Sequence, residues 1–145
     1  MPVQSASYKN MDRLFIDTNV LLDVLESRPA FVADSLRVIA LAKSRQARAA
    51  VSPLSLSDIT YILRKSEQDR VLRFFLELRR AVEIAGLGEA EVDRSLAAGM
   101  ADFEDALQWQ AAHTWKATHF ITRNTSDFPS GDGIVVASPA EYLAS

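Results

Sequence analysis

The stretch Arg13-Leu14-Phe15-Ile16-Asp17-Thr18-Asn19-Val20-Leu21-Leu22 decides the fold. Its apolar run is too short for a helix, so it predicts the opening strand of a buried sheet. Asp17, Thr18 and Asn19 are residue types that begin helices, and the apolar residues after them predict a helix directly after the strand. A buried strand that passes straight into a helix is typical of α/β proteins with a parallel sheet.

The same alternation recurs along the rest of the chain. Further strands are predicted at 46–52, 81–85, 119–122 and 134–137. Helices are predicted between them at about 30–45, 55–65, 68–80, 89–98 and 103–116, and a last short helix begins at Pro139. Strands that alternate with helices are joined by right-handed crossovers. We therefore expect a three-layer α/β/α sandwich with a mostly parallel five-stranded sheet.

Length and composition indicate one ordinary globular domain. The chain has 145 residues, of which 48% are hydrophobic and 24% charged. Residues 1–11 are polar without periodicity and are predicted to form a disordered leader, which leaves 12–145 as a single domain. Neither a long apolar run nor an apolar signal core is present, so we expect a cytoplasmic protein with no membrane partner.

The residue inventory excludes several kinds of chemistry. The absence of cysteine rules out disulfides, thiolate metal sites and cysteine nucleophiles. The two histidines, His113 and His119, have no serine or cysteine partner motif. Gly86-Leu87-Gly88 lacks the third glycine and the lysine of a phosphate-binding loop. A net charge of −3 argues against a protein that coats nucleic acid through a broad basic surface, but not against an enzyme that acts on nucleic acid.

Four aspartates lie where a predicted strand gives way to a loop or where a predicted helix begins: Asp17, Asp58, Asp105 and Asp127. Each alone has an ordinary explanation as a helix cap, a first-turn acid or a turn residue. In an open parallel sheet, however, the ligand crevice lies outside the carboxyl ends of the strands, so acids placed there meet in space. Crowded carboxylates must protonate or share a cation, and a hard dication such as Mg²⁺ or Mn²⁺ is the simplest resolution.

Polar residues beside these aspartates are predicted to support the site: Thr18, Asn19, Asp102, Glu104 and Asn124. Asp102 can cap the helix that begins after it, and Glu104 can be an acid favoured by the helix dipole. Asp105 is favoured as a direct metal ligand because it can stand at the rim where that helix packs on the sheet. Arg123 follows the fourth predicted strand and could face a phosphate of a substrate.

Three motifs together resemble the PIN domain family. The segment Leu14 to Leu22 resembles the family's opening motif, and Asp102-Phe103-Glu104-Asp105-Ala106-Leu107 resembles its central acidic helix start. Ile121-Thr122-Arg123-Asn124, with Asp127-Phe128, resembles its final motif. The likeness runs from about Asp12 to Leu143, and three motifs in order over one α/β layout are far more specific than any one of them.

The resemblance implies a metal-dependent ribonuclease similar to the VapC-type toxins of bacterial toxin–antitoxin pairs. Asp17, Asp105 and Asp127 would then bind Mg²⁺ or Mn²⁺, and RNA would be the substrate. Asp58 matches a position where the family usually has glutamate, so direct and water-bridged metal contact both stay open. The likeness also implies a homodimer and an antitoxin partner, and the apolar helices between Ser55 and Ala81 could supply the dimer surface.

Two other functions are compatible with the same acids. A small-molecule phosphohydrolase would use an aspartate nucleophile, but it normally needs a second aspartate two residues later, where this chain has Asn19. A PIN-like module that binds RNA or a partner without cleaving is the other alternative, and the shortened acid at Asp58 is its best support.

Overall fold

Strand β1 (Arg13–Ile16) is the central strand of a five-stranded sheet in the computed structural model, which describes residues 11–145. The other strands are β2 (Arg48–Val51), β3 (Glu83–Ile84), β4 (His119–Ile121) and β5 (Val135–Ala137). All neighbours pair in parallel, in the order β3-β2-β1-β4-β5. The chain builds one side of the sheet before it crosses to β4, so the topological switch point lies between β1 and β4.

Seven α-helices connect or follow these strands in the described part of the chain. They are α1 (Thr18–Leu25), α2 (Val32–Lys43), α3 (Pro53–Ile62), α4 (Gln68–Arg79), α5 (Glu89–Ala97), α6 (Phe103–Trp115) and α7 (Pro139–Ala144). Two single turns of 3₁₀-helix occur at Lys65–Glu67 and Thr125–Asp127. The predicted order of strands and helices is confirmed, with shifts of a few residues at the element ends.

The two faces of the sheet carry separate apolar clusters, because successive side chains of a strand point to opposite faces. Leu14 and Ile16 of β1 pack with the helices α1 to α4 on one face. Phe15 lies in the other cluster, where its ring stacks on that of Phe120 at 5.2 Å and where Trp109 of α6 is also buried. Helices therefore cover both faces, and the predicted three-layer arrangement is confirmed.

Several predicted boundaries need correction. The helix predicted at 55–65 begins at Pro53, because Ser52 caps it and proline is suited to its first turn; it ends at Ile62, after which the backbone is extended at Leu63. The third strand, predicted over 81–85, is reduced to Glu83–Ile84. The predicted leader falls, except for Met11, outside the described residues. None of the helices from residue 11 onward is both long and apolar enough to cross a membrane.

Candidate active site

The carboxyl ends of β1 and β4 are joined directly at the switch point. The backbone N–H of Asp17 donates to the carbonyl of Ile121 at 2.9 Å, which continues the strand pairing by one residue. Asp17 and Thr122 are thereby the first residues after two adjacent parallel strands. This is the edge at which open parallel sheets bind their ligands, and it is where the sequence predicted the site.

Asp17 is buried and its carboxylate accepts hydrogen bonds from four donors, the fourth of which is Gln108. The backbone N–H of Thr18 donates to Oδ1 at 2.8 Å, so Asp17 also begins α1. The Thr122 hydroxyl and the Asn19 amide donate to Oδ2 at 2.8 and 3.3 Å. Burial raises the pKa of Asp17 above its ordinary value, the hydrogen bonds oppose that rise, and the nearby charge of Asp58 adds to it.

Gln108 is the residue of this site that the sequence analysis missed. Its amide nitrogen donates to the Ser55 hydroxyl at 2.8 Å, to the Thr18 hydroxyl at 3.3 Å and to Asp17 Oδ1 at 3.4 Å, while its amide oxygen accepts from Ser52. The side chain is 1% exposed. It therefore ties α1, α3 and α6 together beneath the acids. Its position three residues after Asp105 on the same helix face was the available signal.

Asp105 lies close to the other predicted ligands. Burial, and then the charges of Asp102, Asp17 and Asp127 in that order, raise the pKa of the Asp105 carboxyl to about 6. Asp127 ends the 3₁₀ turn after β4, where its N–H donates to the Asn124 carbonyl at 3.0 Å. The structure thus brings Asp17, Asp105 and Asp127 into one electrostatic cluster, although they come from three separate segments.

Asp58 and Glu104 form a second pair of acids beside this cluster. The Glu104 carboxyl makes a hydrogen bond with that of Asp58, and this contact is the main cause that raises the pKa of Glu104 to about 7, with burial second. Asp58 comes from the second turn of α3 and Glu104 from the first turn of α6. Asp102 has the capping role: its Oδ1 accepts from the Asp105 N–H at 2.9 Å.

The remaining predicted supporting residues connect the strand ends. Asn19 Oδ1 accepts from the backbone N–H of Arg123 at 3.1 Å, and its amide donates to the Thr122 hydroxyl at 3.1 Å. That hydroxyl also accepts from the backbone N–H of Asn124 at 3.1 Å. Asn19 therefore orients the loop that carries Asp127, and Asn124 contributes through its backbone.

The guanidinium of Arg123 contacts a different group from the one the sequence predicted. Its Nε donates to Asp23 Oδ2 at 2.7 Å, and its guanidinium carbon lies 4.2 Å from the centre of the Phe31 ring. Asp23 is fully buried and also pairs with Arg28 at 3.3 Å. This contact anchors the start of the loop after β4 on α1, so its evident role is positional, while the predicted contact with substrate stays a prediction.

We expect Arg123→Gln to lower the free energy of unfolding by about 2–3 kcal/mol, because a buried carboxylate loses its shorter ion pair and keeps only Arg28. Arg28→Gln is the matched control. It breaks the longer contact of a more exposed arginine, so a loss of less than about 1 kcal/mol is expected. Urea unfolding of both variants measures the difference. Equal losses of unfolding free energy in the two variants would show that Arg123 stabilises the buried Asp23 no more than Arg28 does.

The donor chemistry of the cluster fits a hard dication. In residues 11–145, no three acidic or histidine side chains stand close enough together to enclose an ion as they are oriented. The groups present are nevertheless carboxylates with hydroxyl and amide oxygens beside them, which are the ligands of Mg²⁺ and Mn²⁺. Neighbouring carboxylates contribute to the raised pKa values of Asp105 and Glu104, and a bound cation would reduce that repulsion. Magnesium keeps several waters and needs few direct protein contacts.

Glu104 should make the metal-free protein less stable as the pH rises. Folded Glu104 keeps its proton to about pH 7, whereas the unfolded chain loses it near the ordinary value of 4.5. Between these values the folded state binds more protons, so the melting temperature in EDTA is expected to fall as the pH rises from about 4.5 to 7. Glu104→Gln should flatten that slope, and Glu89→Gln, an exposed acid on α5, should leave it unchanged. An unchanged slope in Glu104→Gln would contradict the assignment.

Comparisons with known proteins show the family to which the chain belongs. Residues 13–126 match the family model described as PIN domain. Ribonuclease VapC1 of Aquifex aeolicus (strain VF5) is 25% identical over 138 residues, which cover 92% of this chain and 94% of that protein. The three predicted motifs lie within or just past the matched range.

Two solved structures share the fold at lower identity. A toxin–antitoxin complex from Klebsiella pneumoniae has a TM-score of 0.66 at 21% identity, covering 87% of this chain and 97% of the other. VapBC2 from Rickettsia felis, bound to a DNA fragment from its promoter, has a TM-score of 0.61 at 19% identity, covering 86% and 96%. With the family model matching most of its length, the chain belongs to the PIN domain family.

Proposed function

We propose that this protein is a metal-dependent endoribonuclease that hydrolyses RNA phosphodiester bonds. The observation that carries the proposal is the convergence of Asp17, Asp105 and Asp127 on the carboxyl edge of the sheet, with Asp58 and Glu104 beside them. The similarity to Ribonuclease VapC1 supports RNA as the substrate. An open edge of this kind accommodates a flexible single strand more easily than a stiff duplex.

The proposed chemistry assigns a task to each group. Asp17, Asp105 and Asp127 would hold Mg²⁺ or Mn²⁺, which supplies an activated water and relieves negative charge on the phosphate. Asp17 is kept in place by Thr18, Thr122 and Gln108. Glu104 lies beside Asp58 and keeps its proton to about pH 7, so it can give a proton to a leaving oxygen and accept one from a water when ionised. Neither histidine is required as a base.

Partners of the protein also belong to the proposal. The solved relatives are toxin–antitoxin complexes, which supports an antitoxin for this chain and a role as the toxin of such a pair. A homodimer is proposed through α3 and α4, where large apolar side chains are exposed. These are Tyr61 (91%), Ile62 (55%), Leu72 (57%) and Leu76 (70%). Apolar surface of this kind is typical of protein–protein contacts.

The decisive experiment incubates the purified protein with single-stranded RNA at fixed ionic strength. Cleavage is expected with Mg²⁺ or Mn²⁺ and is expected to stop with EDTA, then to return when the metal is restored in excess. Calcium, which has a different preferred geometry, serves as a charge-matched control. Cleavage that persists in EDTA, or turnover of p-nitrophenyl phosphate with RNA untouched, would overturn the proposal.

A further inference from the structure

A basic cavity of about 440 Å³ lies at the amino-terminal edge of the sheet, on the opposite side from the acid cluster. The ends of α2 and α4 and the starts of β2 and β3 form its walls. Five of the chain's 16 lysines and arginines line it, with Glu83 as the single acid: Lys43, Arg45, Arg48, Arg79 and Arg80. In a chain with a net charge of −3, this is a marked local concentration of positive charge.

Much of this charge is not neutralised by the protein itself. Arg48 forms a two-point ion pair with Glu83, with both distances 2.7 Å, and Arg80 approaches Glu77 at 3.7 Å. The Arg79 guanidinium donates to the neutral carbonyl of Val82 at 2.6 Å. Within the described residues, neither Lys43 nor Arg45 has a carboxylate within ion-pair distance. At least three of the cations therefore stay available to an anion.

The backbone at Arg45 turns the chain at the end of α2. Its φ is 63°, in the left-handed region that glycine and asparagine occupy most easily. The backbone N–H of Gln46 donates to the carbonyl of Leu41 at 2.9 Å, as is common where a helix ends in this conformation, and the Arg45 side chain is exposed at the cavity. This turn at the end of α2 places Arg45 among the cations that line the cavity.

We propose that this cavity binds phosphate groups. Guanidinium groups match phosphate oxygens with two parallel hydrogen bonds, and a lysine adds a point charge, so several oxygens of one phosphate can be contacted at once. The expected source is the backbone of an RNA strand, and in that respect the inference rests on the proposed function. The site would hold RNA away from the acidic edge, which repels phosphate until a cation binds there.

Binding can be measured without cleavage by working in EDTA. The probe is a fluorescent single-stranded 2′-O-methyl RNA of about 12 nucleotides, titrated with the full-length protein at several salt concentrations, with inorganic pyrophosphate and poly-glutamate as separate probes. The cavity variant is Lys43→Gln/Arg45→Asn, in which asparagine suits the left-handed backbone. The matched control is Arg37→Gln/Arg73→Gln, which removes the same charge from exposed arginines that do not line the cavity. Melting temperatures confirm that both variants fold.

We expect the cavity variant to bind the oligonucleotide roughly tenfold more weakly. The slope of log K against log salt concentration should become less steep by about 1.4, which is about 0.7 for each lost phosphate contact. The control should bind like the original protein. If the cavity variant loses pyrophosphate binding but keeps oligonucleotide binding, the cavity is a phosphate site whose ligand is free phosphate. Equal effects of both variants, or none, would overturn the proposal, as would poly-glutamate binding as tight as that of the oligonucleotide. Binding without any Mg²⁺-dependent cleavage would overturn only the proposed function.

Discussion

Asp105→Asn is expected to reduce the rate of RNA cleavage by roughly a hundredfold or more while leaving the fold intact. The change removes a negative charge that would hold the metal, and loss of about 3 kcal/mol of metal-assisted stabilisation corresponds to that factor. The carboxamide has nearly the same shape as the carboxyl, so packing against the sheet is kept. Single-turnover cleavage of a labelled RNA at saturating Mg²⁺ measures the effect.

Stability separates this effect from damage to the protein. Burial and the charges of Asp102, Asp17 and Asp127 all disfavour ionised Asp105, so Asn at this position should leave the melting temperature in EDTA unchanged or raise it at pH 8. Asp93→Asn, an exposed acid on α5, is the matched control and should change neither quantity. Full cleavage by Asp105→Asn would remove this residue from the proposed metal site. A large fall in melting temperature would instead assign it a structural role.

Gln108→Glu is expected to lower the free energy of unfolding by about 3–5 kcal/mol at pH 8. The change is nearly isosteric, but it places a carboxyl 1% exposed to solvent beside Asp17 and removes the amide donor to Ser55, Thr18 and Asp17. An uncompensated buried charge is destabilising by that amount. The new acid would have a raised pKa in the folded state, so the loss should shrink as the pH is lowered towards 5.

Gln110→Glu is the control for this variant on the same helix. Gln110 accepts a hydrogen bond from Arg94 at 3.2 Å, so an acid there gains a cationic partner. Its stability should stay within about 0.5 kcal/mol of the original protein. Chemical unfolding at pH 5, 6.5 and 8 compares the two variants. A loss in Gln108→Glu that does not depend on pH would mean that the missing donors, rather than the buried charge, are responsible.

The sequence predicted most of the fold because the central elements carry strong local patterns. Strand β1 and the start of helix α1 were placed within a residue, because an apolar run followed by helix-capping residues has one ready interpretation. The third strand was predicted too long. The length of this edge strand is set by its pairing with β2, in which only Ala50 with Glu83 and Val51 with Ile84 are in register. The local sequence does not show how far such pairing extends, so the strand end could not be predicted.

The acidic residues of the candidate site were predicted from the sequence. The side chains that hold these acids in place by hydrogen bonds were not all predicted. Asp17 and Asp127 could be selected because they come after predicted strands, and Asp105 because it lies in the first turn of a predicted helix. Gln108 looks like one of several polar residues on α6, and only the packing of three helices shows that it is buried. Arg123 was predicted to contact substrate, and its pairing with the buried Asp23 depends on a contact between residues one hundred positions apart.

The separation along the chain between Asp17 and Thr122 has a consequence for protein synthesis. Their hydrogen bond joins residues 105 positions apart, and the loop with Asp127 comes later still. A nascent chain that has released β1 to β3 from the ribosome contains Asp17 and Asp58 but neither Asp105 nor Asp127. The proposed cleavage of RNA would therefore become possible only after the segment that carries Asp127 has been synthesised and has paired with β1.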